Sequence, residues 1–425
     1  MRILFGCEFY APLAGGVQHS MRQVAERLVA RGHEVTVATS ALAARDFTSL
    51  NGVQIKEFAI TGNLATGMSG EIDRYHGFIL NSSFDVMMIK SVEQWTFDAL
   101  WPILDRMTMQ TVVIPVGMPR LYEPAYADYY RRIPDVLAKF NHLIFHASTY
   151  RDTEMAVEHG ITNYSVIPNG ASEVEFGVEE DPAFRARHGI PEHSLLLLTV
   201  GSFTGLKGHA ELSKAFSLMD LDPGMRATLI LNGNTLPFWR NGLAGLWSKF
   251  RSNDLRTAAR KAYAMAMGRV GDRLIRTGKK QDSNKQVIVA NLPRQELIQA
   301  YKAADLFVFA SYVEYSPNVL YEAVASKTPF LSVPVGNSEE IAEWTGGGVI
   351  CPAPKDDKGY TRVDPSVLAE HMARLIRDEP LRKRLGEEGH RRWKERFTWD
   401  KISGEYEALF QRLVDAKATA VRNVV

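Results

Sequence analysis

Two carboxylates with seven residues between them, Glu314 and Glu322, stand where an apolar run meets a helical pattern. The run 306–310 is typical of a buried strand, and 319–325 has the spacing of a helix, with Pro317 suited to its start. Ligands of open α/β sheets bind at the carboxyl ends of strands, and free amides at a helix start attract phosphate. Two flanking carboxylates can accept hydrogen bonds from a sugar and from a ribose. The alternative is an ordinary strand–loop–helix with two solvated glutamates.

The spacing resembles the Glu, seven residues, Glu signature of the retaining family-four glycosyltransferases, which have the GT-B fold, and the match includes 316–318. The resemblance implies an α/β protein of two Rossmann-like domains, with parallel sheets that face each other across a cleft. It implies that Glu314 contacts the transferred sugar and that Glu322 holds the ribose hydroxyls. The backbone amides of Asn318 and Val319 would hold the diphosphate.

A cation follows a second apolar run, 195–201, which is typical of a central parallel strand. The loop 202–209 places Lys207 beside glycines before a helix, which suits a phosphate, although a lone lysine is more often a surface residue. The place resembles the family's Lys-Gly motif, which implies that Lys207 binds the diphosphate and stabilises the charge of the leaving group. Relatives usually carry an arginine where this chain has Ser202, whose hydroxyl is left as a donor.

A glycine pair, Gly15 and Gly16, opens the first helix of the chain. Strand 2–6, the glycine loop, a helix and strand 34–40 give a Rossmann-like order. The spacing of a dinucleotide-binding loop is missing, so a dinucleotide cofactor is not expected. Paired glycines let a ligand approach the backbone, but a tight turn also explains them. In the resembled family this loop borders the diphosphate and the acceptor, which implies a binding role for both glycines.

The loop after the strand 111–115 departs from the family pattern. Relatives have a His-Gly pair where this chain has Val116, and their histidine would contact the donor sugar. Valine can neither donate nor accept a hydrogen bond, so Glu8, His19 or Arg120 would have to take its place. Val116, His19 and Arg120 are therefore expected in the cleft.

The order of strands and helices predicts two domains. The first domain comprises 1–175 and ends after a strand and a Pro-Asn-Gly turn at 164–170, which closes the first domain in the resembled family. The second domain comprises 190–397. The resemblance implies that the first is the acceptor domain and the second the nucleotide-sugar domain. In the resembled family the last helix, about 398–415 here, crosses back onto the first domain.

Residues 239–285 form a basic insertion with 12 Lys and Arg against three Asp. Leu243, Leu246, Trp247 and Phe250 share one helical face. A basic amphipathic helix with aromatic residues is typical of a membrane-surface element, at about 1 kcal/mol for each basic residue near an anionic leaflet. The alternative is a helical insertion packed on the domain with a solvated basic face. Nucleic acid is not expected as a partner, since no recognition motif is present.

The composition is ordinary for a globular chain: 425 residues, 45% hydrophobic and 23% charged, with a net charge of +1. Cys7 and Cys351 are its two cysteines, which excludes a disulfide framework and a Cys-based metal site and fits a reducing cytoplasm. The N-terminal apolar run is too short for a signal peptide, and no run approaches the roughly 20 residues of a transmembrane helix.

Asp220 and Asp222 spell the D-x-D of metal-dependent sugar transferases, but beside 223–224, Pro-Gly, aspartates are turn formers. Neither a catalytic metal nor another cofactor is therefore expected.

These features predict a cytoplasmic, retaining, metal-independent glycosyltransferase, which 239–285 would bring to the inner face of a membrane. It would move a hexosyl unit from a nucleotide diphosphate sugar to a hydroxyl of a glycan or lipid-linked acceptor, in bacterial surface polysaccharide or lipid-linked glycan assembly. Two alternatives remain open. One is a sugar-nucleotide epimerase of the same fold, which needs carboxylates and no acceptor. The other is a non-catalytic nucleotide-sugar-binding subunit, which the departures at Val116 and Ser202 favour.

Overall fold

Apolar runs of the sequence form the strands of two large, mostly parallel sheets, one in each unit of the chain. The computed structural model describes residues 1–13, 15–233, 284–357 and 359–422, with side chains as far as 419. The first unit comprises Met1–Ser172, Tyr315–Asn318 and Glu395–Val425, and the second comprises Glu173–Glu314 and Val319–Lys394.

The strands alternate with helices along both units. They are β1 (Arg2–Gly6), β2 (Glu34–Ser40), β3 (Ser49–Leu50), β4 (Val53–Phe58), β5 (Ile60–Asn63), β6 (Gly67–Gly70), β7 (Val86–Lys90), β8 (Gln110–Ile114), β9 (His142–Phe145), β10 (Tyr164–Val166), β11 (Ser194–Val200), β12 (Arg226–Asn232), β13 (Lys285–Ala290), β14 (Leu306–Phe309), β15 (Phe330–Ser332) and β16 (Gly348–Ile350).

The described α-helices are α1 (Gly16–Ala30), α2 (Ile72–Leu80), α3 (Trp95–Asp98), α4 (Ala127–Leu137), α5 (Arg151–Glu158), α6 (Glu173–Phe176), α7 (Phe184–Arg187), α8 (His209–Leu218), α9 (Arg294–Ala303), α10 (Asn318–Ala325), α11 (Ser338–Thr345), α12 (Pro365–Arg377), α13 (Glu379–Arg392) and α14 (Trp399–Arg422). Short 3-10 helices lie at Leu104–Arg106 and Pro124–Tyr126, and a π-helical turn lies at Trp393–Phe397.

The sheet of the first unit has the order β10-β9-β8-β7-β1-β2-β4-β3. Its pairs are parallel, apart from the short antiparallel pair of β3 and β4. The strand order reverses between β1 and β7, since the chain adds strands on one side of β1 first and then on the other. Loops that leave the carboxyl ends of strands at such a point are the usual place for a ligand. The loop with Gly15 and Gly16 follows β1, and Glu93 follows β7.

The C-terminal helix completes the core of the first unit. Trp399, Tyr406 and Phe410 of α14 are buried in the same apolar cluster as Phe5 of β1, and the rings of Phe5 and Phe410 lie 6.4 Å apart. Backbone hydrogen bonds of Ala171 with Phe397 and Trp399, 3.0 and 3.2 Å long, join the end of the first stretch to the start of this helix. The last helix therefore returns to the first unit, as the resemblance implied.

The sheet of the second unit has the order β13-β12-β11-β14-β15-β16, and all its pairs are parallel. Its central strand β11 carries Leu196, Leu197 and Leu198, which are fully buried because both faces of a parallel sheet are covered. Here the strand order reverses between β11 and β14. The loops after these two strands carry Lys207 and Glu314. Two parallel-sheet α/β units confirm the predicted fold class.

The basic insertion predicted at 239–285 falls almost wholly on 234–283, which lie outside the described residues. Among the residues that the structure does describe, no helix combines the length and apolar character needed to cross a membrane.

Candidate functional site

Lys207 and Glu314 are paired at the strand-order reversal of the second unit. The ammonium of Lys207 donates a hydrogen bond to Oε1 of Glu314, and the hydroxyl of Ser311 donates another to the same oxygen at 3.1 Å. The side chains of Lys207 and Glu314 are 25% and 18% exposed, so both are ordered by contacts and still reachable by a ligand. The structure thus brings together the predicted phosphate-binding cation and the predicted sugar-contacting carboxylate.

The backbone of the Lys-Gly loop requires its glycine. Gly208 has a φ of +66°, and a Cβ there would lie 1.8 Å from the carbonyl oxygen of Ala310, at the end of β14. No side chain fits that space, so Gly208 lets the loop approach the neighbouring strand. Close approach of the two loops is what allows Lys207 to reach Glu314.

His209, the first residue of α8, was not singled out by the sequence, although it directly follows the Lys-Gly motif. Its ring lies 4.5 Å from that of Phe203. Burial, and then the charge of Lys207, lower the pKa of His209 to about 4, so the imidazole is neutral at physiological pH. Its Nε2 atom is buried, and no described residue forms a hydrogen bond with it.

Glu322, the second carboxylate of the motif, lies one turn inside α10 and is 6% exposed. Its Oε1 forms an ion pair with Nη1 of Arg294 at 2.8 Å. Arg294 also holds Glu175, with Nη2–Oε2 and Nε–Oε1 distances of 2.8 and 3.2 Å. Burial opposes the charge of Arg294, but the two carboxylates outweigh it and raise the pKa of the guanidinium.

The sequence did offer a signal for Arg294. It is the first residue of α9, where a positive charge is unfavourable because of the helix dipole. A cation in that position is explained when carboxylates from elsewhere in the fold surround it.

The start of α10 meets the glycine loop within the first unit. Nδ2 of Asn318 lies 3.5 Å from the carbonyl oxygen of Gly16, and Nδ2 of Asn169 donates to the carbonyl of Ser316 at 3.0 Å. The Ser316 hydroxyl oxygen and Oδ1 of Asn318 are buried, and no described residue satisfies either atom. Val319, the other predicted phosphate-binding amide, follows directly and belongs to the second unit.

Neither glycine of the glycine loop is required by its own backbone. Gly15 has a φ of 179°, an extended conformation that any residue adopts. A Cβ on Gly16 would meet only Nδ2 of Asn318, at an ordinary 3.9 Å. Both residues are exposed. A Cβ on Gly15 would meet the far end of the Gln18 side chain.

Tyr315, inside the two-glutamate motif, belongs to the first unit. Its hydroxyl accepts from the backbone amide of His146 at 2.9 Å and is hydrogen-bonded to the carboxylate of Asp152. The amide of Gly117 donates to Asp152 at 2.8 Å, and Gly117 packs so closely that a Cβ would lie 2.7 Å from the Tyr315 ring and 2.8 Å from that of Tyr150. Burial raises the pKa of Asp152 to about 6. No pattern of residue types or spacing predicted this cluster.

Val116, which replaces the family's histidine, has a left-handed backbone with a φ of 62°. Gly117 and Met118 follow with φ values of 72° and 49°. A positive φ is a genuine outlier for a β-branched residue and costs roughly 1–3 kcal/mol. The loop thus keeps a strained shape at the carboxyl end of β8.

The side chain of Arg120 is engaged within the first unit. Its guanidinium contacts the Tyr126 hydroxyl and lies 3.8 Å from Oε2 of Glu93, whose Oε1 accepts from the Arg120 amide at 3.2 Å. Burial raises the pKa of Glu93 to about 7, that of Asp98 to about 6, and that of Glu8 above its usual value. Glu93 has a φ of 63°, a feature that composition and spacing do not reveal.

The predicted site residues divide between the units. Gly15, Gly16, His19, Val116, Arg120 and Asn318 lie in the first unit, and Ser202, Lys207, Glu314, Val319 and Glu322 lie in the second. Contacts join Lys207 to Glu314 and Gly16 to Asn318. His19 follows the glycine loop on α1, where its amide donates to the carbonyl of Gly15 at 2.9 Å. Their roles toward a ligand stay predictions.

The D-x-D letters have a local explanation. Asp220 and Asp222 lie between α8 and β12, and both bind the guanidinium of Arg377, at 3.3 and 2.9 Å. Across the described ranges, no group of three or more acidic, histidine or cysteine side chains could hold a metal ion.

Comparisons with known proteins agree with this architecture. Residues 272–392 match the family model of Glycosyl transferases group 1. D-inositol 3-phosphate glycosyltransferase of Thermobifida fusca is 25% identical over 406 residues, which cover 88% of this chain and 84% of that protein. The protein of the same name from Corynebacterium aurimucosum is 25% identical over 305 residues, 69% of this chain and 62% of its own length.

Solved structures show the same fold. Sucrose-phosphate synthase of Thermosynechococcus elongatus has a TM-score of 0.68 at 18% identity, over 98% of this chain and 99% of that one. Anabaena HepE, solved with UDP and glucose, has a TM-score of 0.67 at 14% identity, over 97% of this chain and 100% of that one. The predicted resemblance to glycosyltransferases with the GT-B fold is thereby confirmed.

Proposed function

We propose that this chain, which resembles the group 1 glycosyltransferases, is a retaining glycosyltransferase that takes a hexosyl unit from a nucleotide diphosphate sugar. The acceptor is a hydroxyl of a glycan or of a lipid-linked saccharide, in bacterial surface polysaccharide or lipid-linked glycan assembly. Anabaena HepE was solved with UDP and glucose, which supports a nucleotide-sugar donor for a chain of this fold.

The observation that carries the proposal is the contact between Lys207 and Glu314. It lies at the carboxyl ends of β11 and β14, where the strand order reverses and α/β sheets bind ligands. A cation and a carboxylate side by side suit a substrate whose reacting bond joins a phosphate to a sugar. As that bond breaks, negative charge grows on the diphosphate and positive charge on the sugar ring.

The proposed chemistry assigns one charge to each residue. The Lys207 ammonium stabilises the departing diphosphate, and the Glu314 carboxylate stabilises the oxocarbenium-like sugar. The acceptor hydroxyl attacks on the face that the diphosphate leaves, so the configuration of the sugar is retained. The diphosphate takes the proton of that hydroxyl, and no covalent nucleophile of the protein is required.

The start of α10 supports a phosphate-binding role. Free amides at a helix N-terminus favour an anion, and here they belong to Asn318 and Val319. Buried polar atoms are normally hydrogen-bonded, yet the Ser316 hydroxyl oxygen and Oδ1 of Asn318 have no partner among the described residues. Hydroxyls of a bound nucleotide sugar would satisfy them.

The glycine loop and the strained loop after β8 also support the proposed function. Gly15 and Gly16 are exposed, and the absence of side chains there allows a ligand to approach the backbone closely. The left-handed Val116 keeps a costly backbone, and strained residues of this kind cluster at ligand-binding and active sites.

Transfer of a radiolabelled sugar tests the proposal. A thermal-shift screen of nucleotides and nucleotide sugars first identifies the donor, since a ligand that binds the native state raises apparent stability. Glu314→Ala and Glu322→Ala should then each lose most of the transfer rate. Near-wild-type rates in both variants would end the assignment. Release of free sugar or an epimer without any acceptor would indicate the epimerase instead.

Metal independence and membrane contact are separate parts of the proposal. A chelator should leave the transfer rate unchanged, because Lys207 supplies the positive charge that a metal would supply. Residues 239–285, with 12 basic and three acidic side chains, would bring the enzyme to anionic lipid. Flotation with anionic and with zwitterionic vesicles tests this; equal recovery in both would exclude an electrostatic membrane contact.

A further inference from the structure

We propose that Arg294 is a positioning residue for this reaction, which holds the Glu322 carboxylate where it accepts hydrogen bonds from the ribose of the donor. The inference rests on the proposed function, in which Glu322 binds ribose. It adds a second layer to the site, made by Arg294 and its anchor Glu175. Neither residue was expected from the sequence.

The geometry divides the guanidinium between two carboxylates. Nη1 contacts one oxygen of Glu322 at 2.8 Å, whereas Nη2 and Nε bind both oxygens of Glu175, at 2.8 and 3.2 Å. The two-point contact fixes the plane of the guanidinium on Glu175, since a fork of two parallel bonds sets orientation as well as distance. The contact to Glu322 is made at one oxygen, and the same carboxylate also interacts with the buried hydroxyl of Tyr301.

Arg294 is itself held from more than one side. Its guanidinium carbon lies 5.4 Å from the ring centre of Phe176, which follows Glu175 on α6. The residue also starts α9, so its backbone is fixed by the helix. These contacts fix the position of the Arg294 guanidinium, so it can hold the Glu322 carboxylate in one place.

The buried negative charge of Glu322 explains why it needs Arg294 as a partner. The side chain of Glu322 is 8% exposed, and a buried carboxylate without a charged or hydrogen-bonding partner is expensive. Arg294 supplies that partner while remaining neutralised by Glu175, so the group of three keeps one net negative charge. A net negative group suits the acceptance of hydrogen bonds from sugar hydroxyls. Lysine could not replace the fork, because its ammonium is a point charge on a flexible stem.

A thermodynamic cycle that combines protein variants with deoxy forms of the nucleotide tests the inference. Purified full-length wild type and Arg294→Lys are titrated with UDP, GDP and ADP and with their 2′-deoxy and 3′-deoxy forms. In the wild type, removing the ribose hydroxyl that donates a hydrogen bond to Glu322 should weaken nucleotide binding about tenfold, as expected for a lost hydrogen bond to a charged group. In Arg294→Lys the same loss should weaken binding less than about threefold, since Glu322 is no longer held toward ribose.

Two further variants separate positioning from folding. Glu175→Gln keeps Arg294 and Glu322 but removes the charge that anchors the guanidinium, and it should also reduce the ribose-hydroxyl effect. Arg187→Lys is the matched control: Arg187 contacts Glu296 of α9 and Asp181, at 3.1 and 2.6 Å, on an exposed surface. This control should keep the full tenfold effect and the wild-type transfer rate.

The outcomes distinguish the inference from the proposed function. If the folded variants Arg294→Lys and Glu175→Gln show the wild-type ribose-hydroxyl effect, Arg294 does not position Glu322, and the proposed function stands. If the wild type binds none of the three nucleotides, or binds the deoxy forms equally well, the role of Glu322 fails and the role of Arg294 fails with it.

Discussion

Tyr315 and Asp152 are hydrogen-bonded although 162 positions separate them in the sequence. The contact belongs to the first unit, whereas Glu314, the residue just before Tyr315, belongs to the second. Asp152 also accepts from the backbone amides of Gly117 and Thr153, at 2.8 and 3.1 Å. A fully buried carboxylate with three donors therefore holds the Tyr315 side chain in one place within the first unit.

Removal of the Tyr315 hydroxyl should destabilise the fold through Asp152. We expect Tyr315→Phe to lower the free energy of unfolding by about 1–3 kcal/mol at pH 8, because a buried charged group loses a donor. Burial raises the pKa of Asp152 to about 6, and the Tyr315 hydroxyl lowers it. Without the hydroxyl the pKa of Asp152 rises further, so the loss of stability is full above that pKa and shrinks as the pH falls to 5.

Tyr130→Phe is the matched control for this prediction. Tyr130 is also buried in the first unit, and no described residue forms a hydrogen bond with its hydroxyl. Thermal unfolding at pH 5 and pH 8 measures both variants. Equal losses in the two variants, or a Tyr315→Phe loss that does not depend on pH, would show that Asp152 does not depend on Tyr315.

Lys207 should matter more for turnover than for folding. In Lys207→Met, Glu314 keeps the Ser311 hydroxyl as a donor, but the departing diphosphate loses its cation. We expect the transfer rate to fall by about 10²–10³, the usual effect of removing one donor that stabilises developing charge. Lys207→Arg keeps the charge and should recover part of the rate.

Lys214→Met provides the comparison for Lys207, because Lys214 is an exposed lysine on the adjoining helix α8. Steady-state transfer assays with the identified donor measure all three variants. A Lys207→Met enzyme as active as Lys214→Met would remove the cation from the proposed chemistry.

Much of this architecture could be predicted from the sequence, because local patterns determine it. Continuous apolar runs such as 195–201 belong to parallel strands that are covered on both faces. The motif letters placed Lys207 and Glu314 each in a loop after a strand, and the structure pairs the two side chains. In each case a short segment carries its own signal.

The parts that could not be predicted depend on contacts between distant segments. Arg294 stands at a helix start, an unusual place for a cation, but its partners Glu175 and Glu322 are known only once α6 and α10 bring them to it. Tyr315 enters the first unit only because Gly117 leaves room for its ring. Left-handed backbone at Val116 is equally invisible, since valine is among the residues that least favour it.

Gly208 of the Lys-Gly loop should tolerate no other residue, because a Cβ there would collide with the backbone. Gly189, which has the same backbone conformation and open space around it, separates this collision from the cost of the conformation. Gly208 and Gly189 have nearly equal φ values, +66° and +65°, but a Cβ meets the Ala310 carbonyl oxygen at 1.8 Å in the first case and nothing within 4 Å in the second. Gly189→Ala should cost about 1–2 kcal/mol from the left-handed backbone alone. Gly208→Ala should cost at least ~1 kcal/mol more and abolish transfer by displacing Lys207.

Thermal unfolding of the two glycine variants, together with the transfer assay, measures this difference. Gly189→Ala should remain active, because Gly189 lies in the loop before β11 and away from Lys207 in the sequence. If Gly208→Ala is no less stable than Gly189→Ala and still transfers sugar, the loop does not need the close approach to β14.

Glu93 should give the first unit a stability that falls as the pH rises. Burial raises the pKa of Glu93 from 4.5 to about 7, and nearby Asp98 and Glu123 add to the shift while Arg120 opposes it. Between pH 4.5 and about pH 7 the unfolded chain has lost the proton of Glu93, whereas the folded chain retains it. Fewer protons bound in the unfolded state mean that the free energy of unfolding decreases with pH, by ~3 kcal/mol at most for this shift.

Glu93→Gln removes the titration but keeps the shape and an oxygen that can accept from the Arg120 amide. The variant should therefore match the wild type near pH 4.5 and exceed it in stability above pH 7. Subtracting the two curves of unfolding free energy against pH cancels the contribution of Asp152, whose pKa of about 6 lies in the same range. A difference that is constant from pH 5 to pH 8 would mean that Glu93 titrates normally, and that its carboxylate is charged and accessible to water in the folded chain.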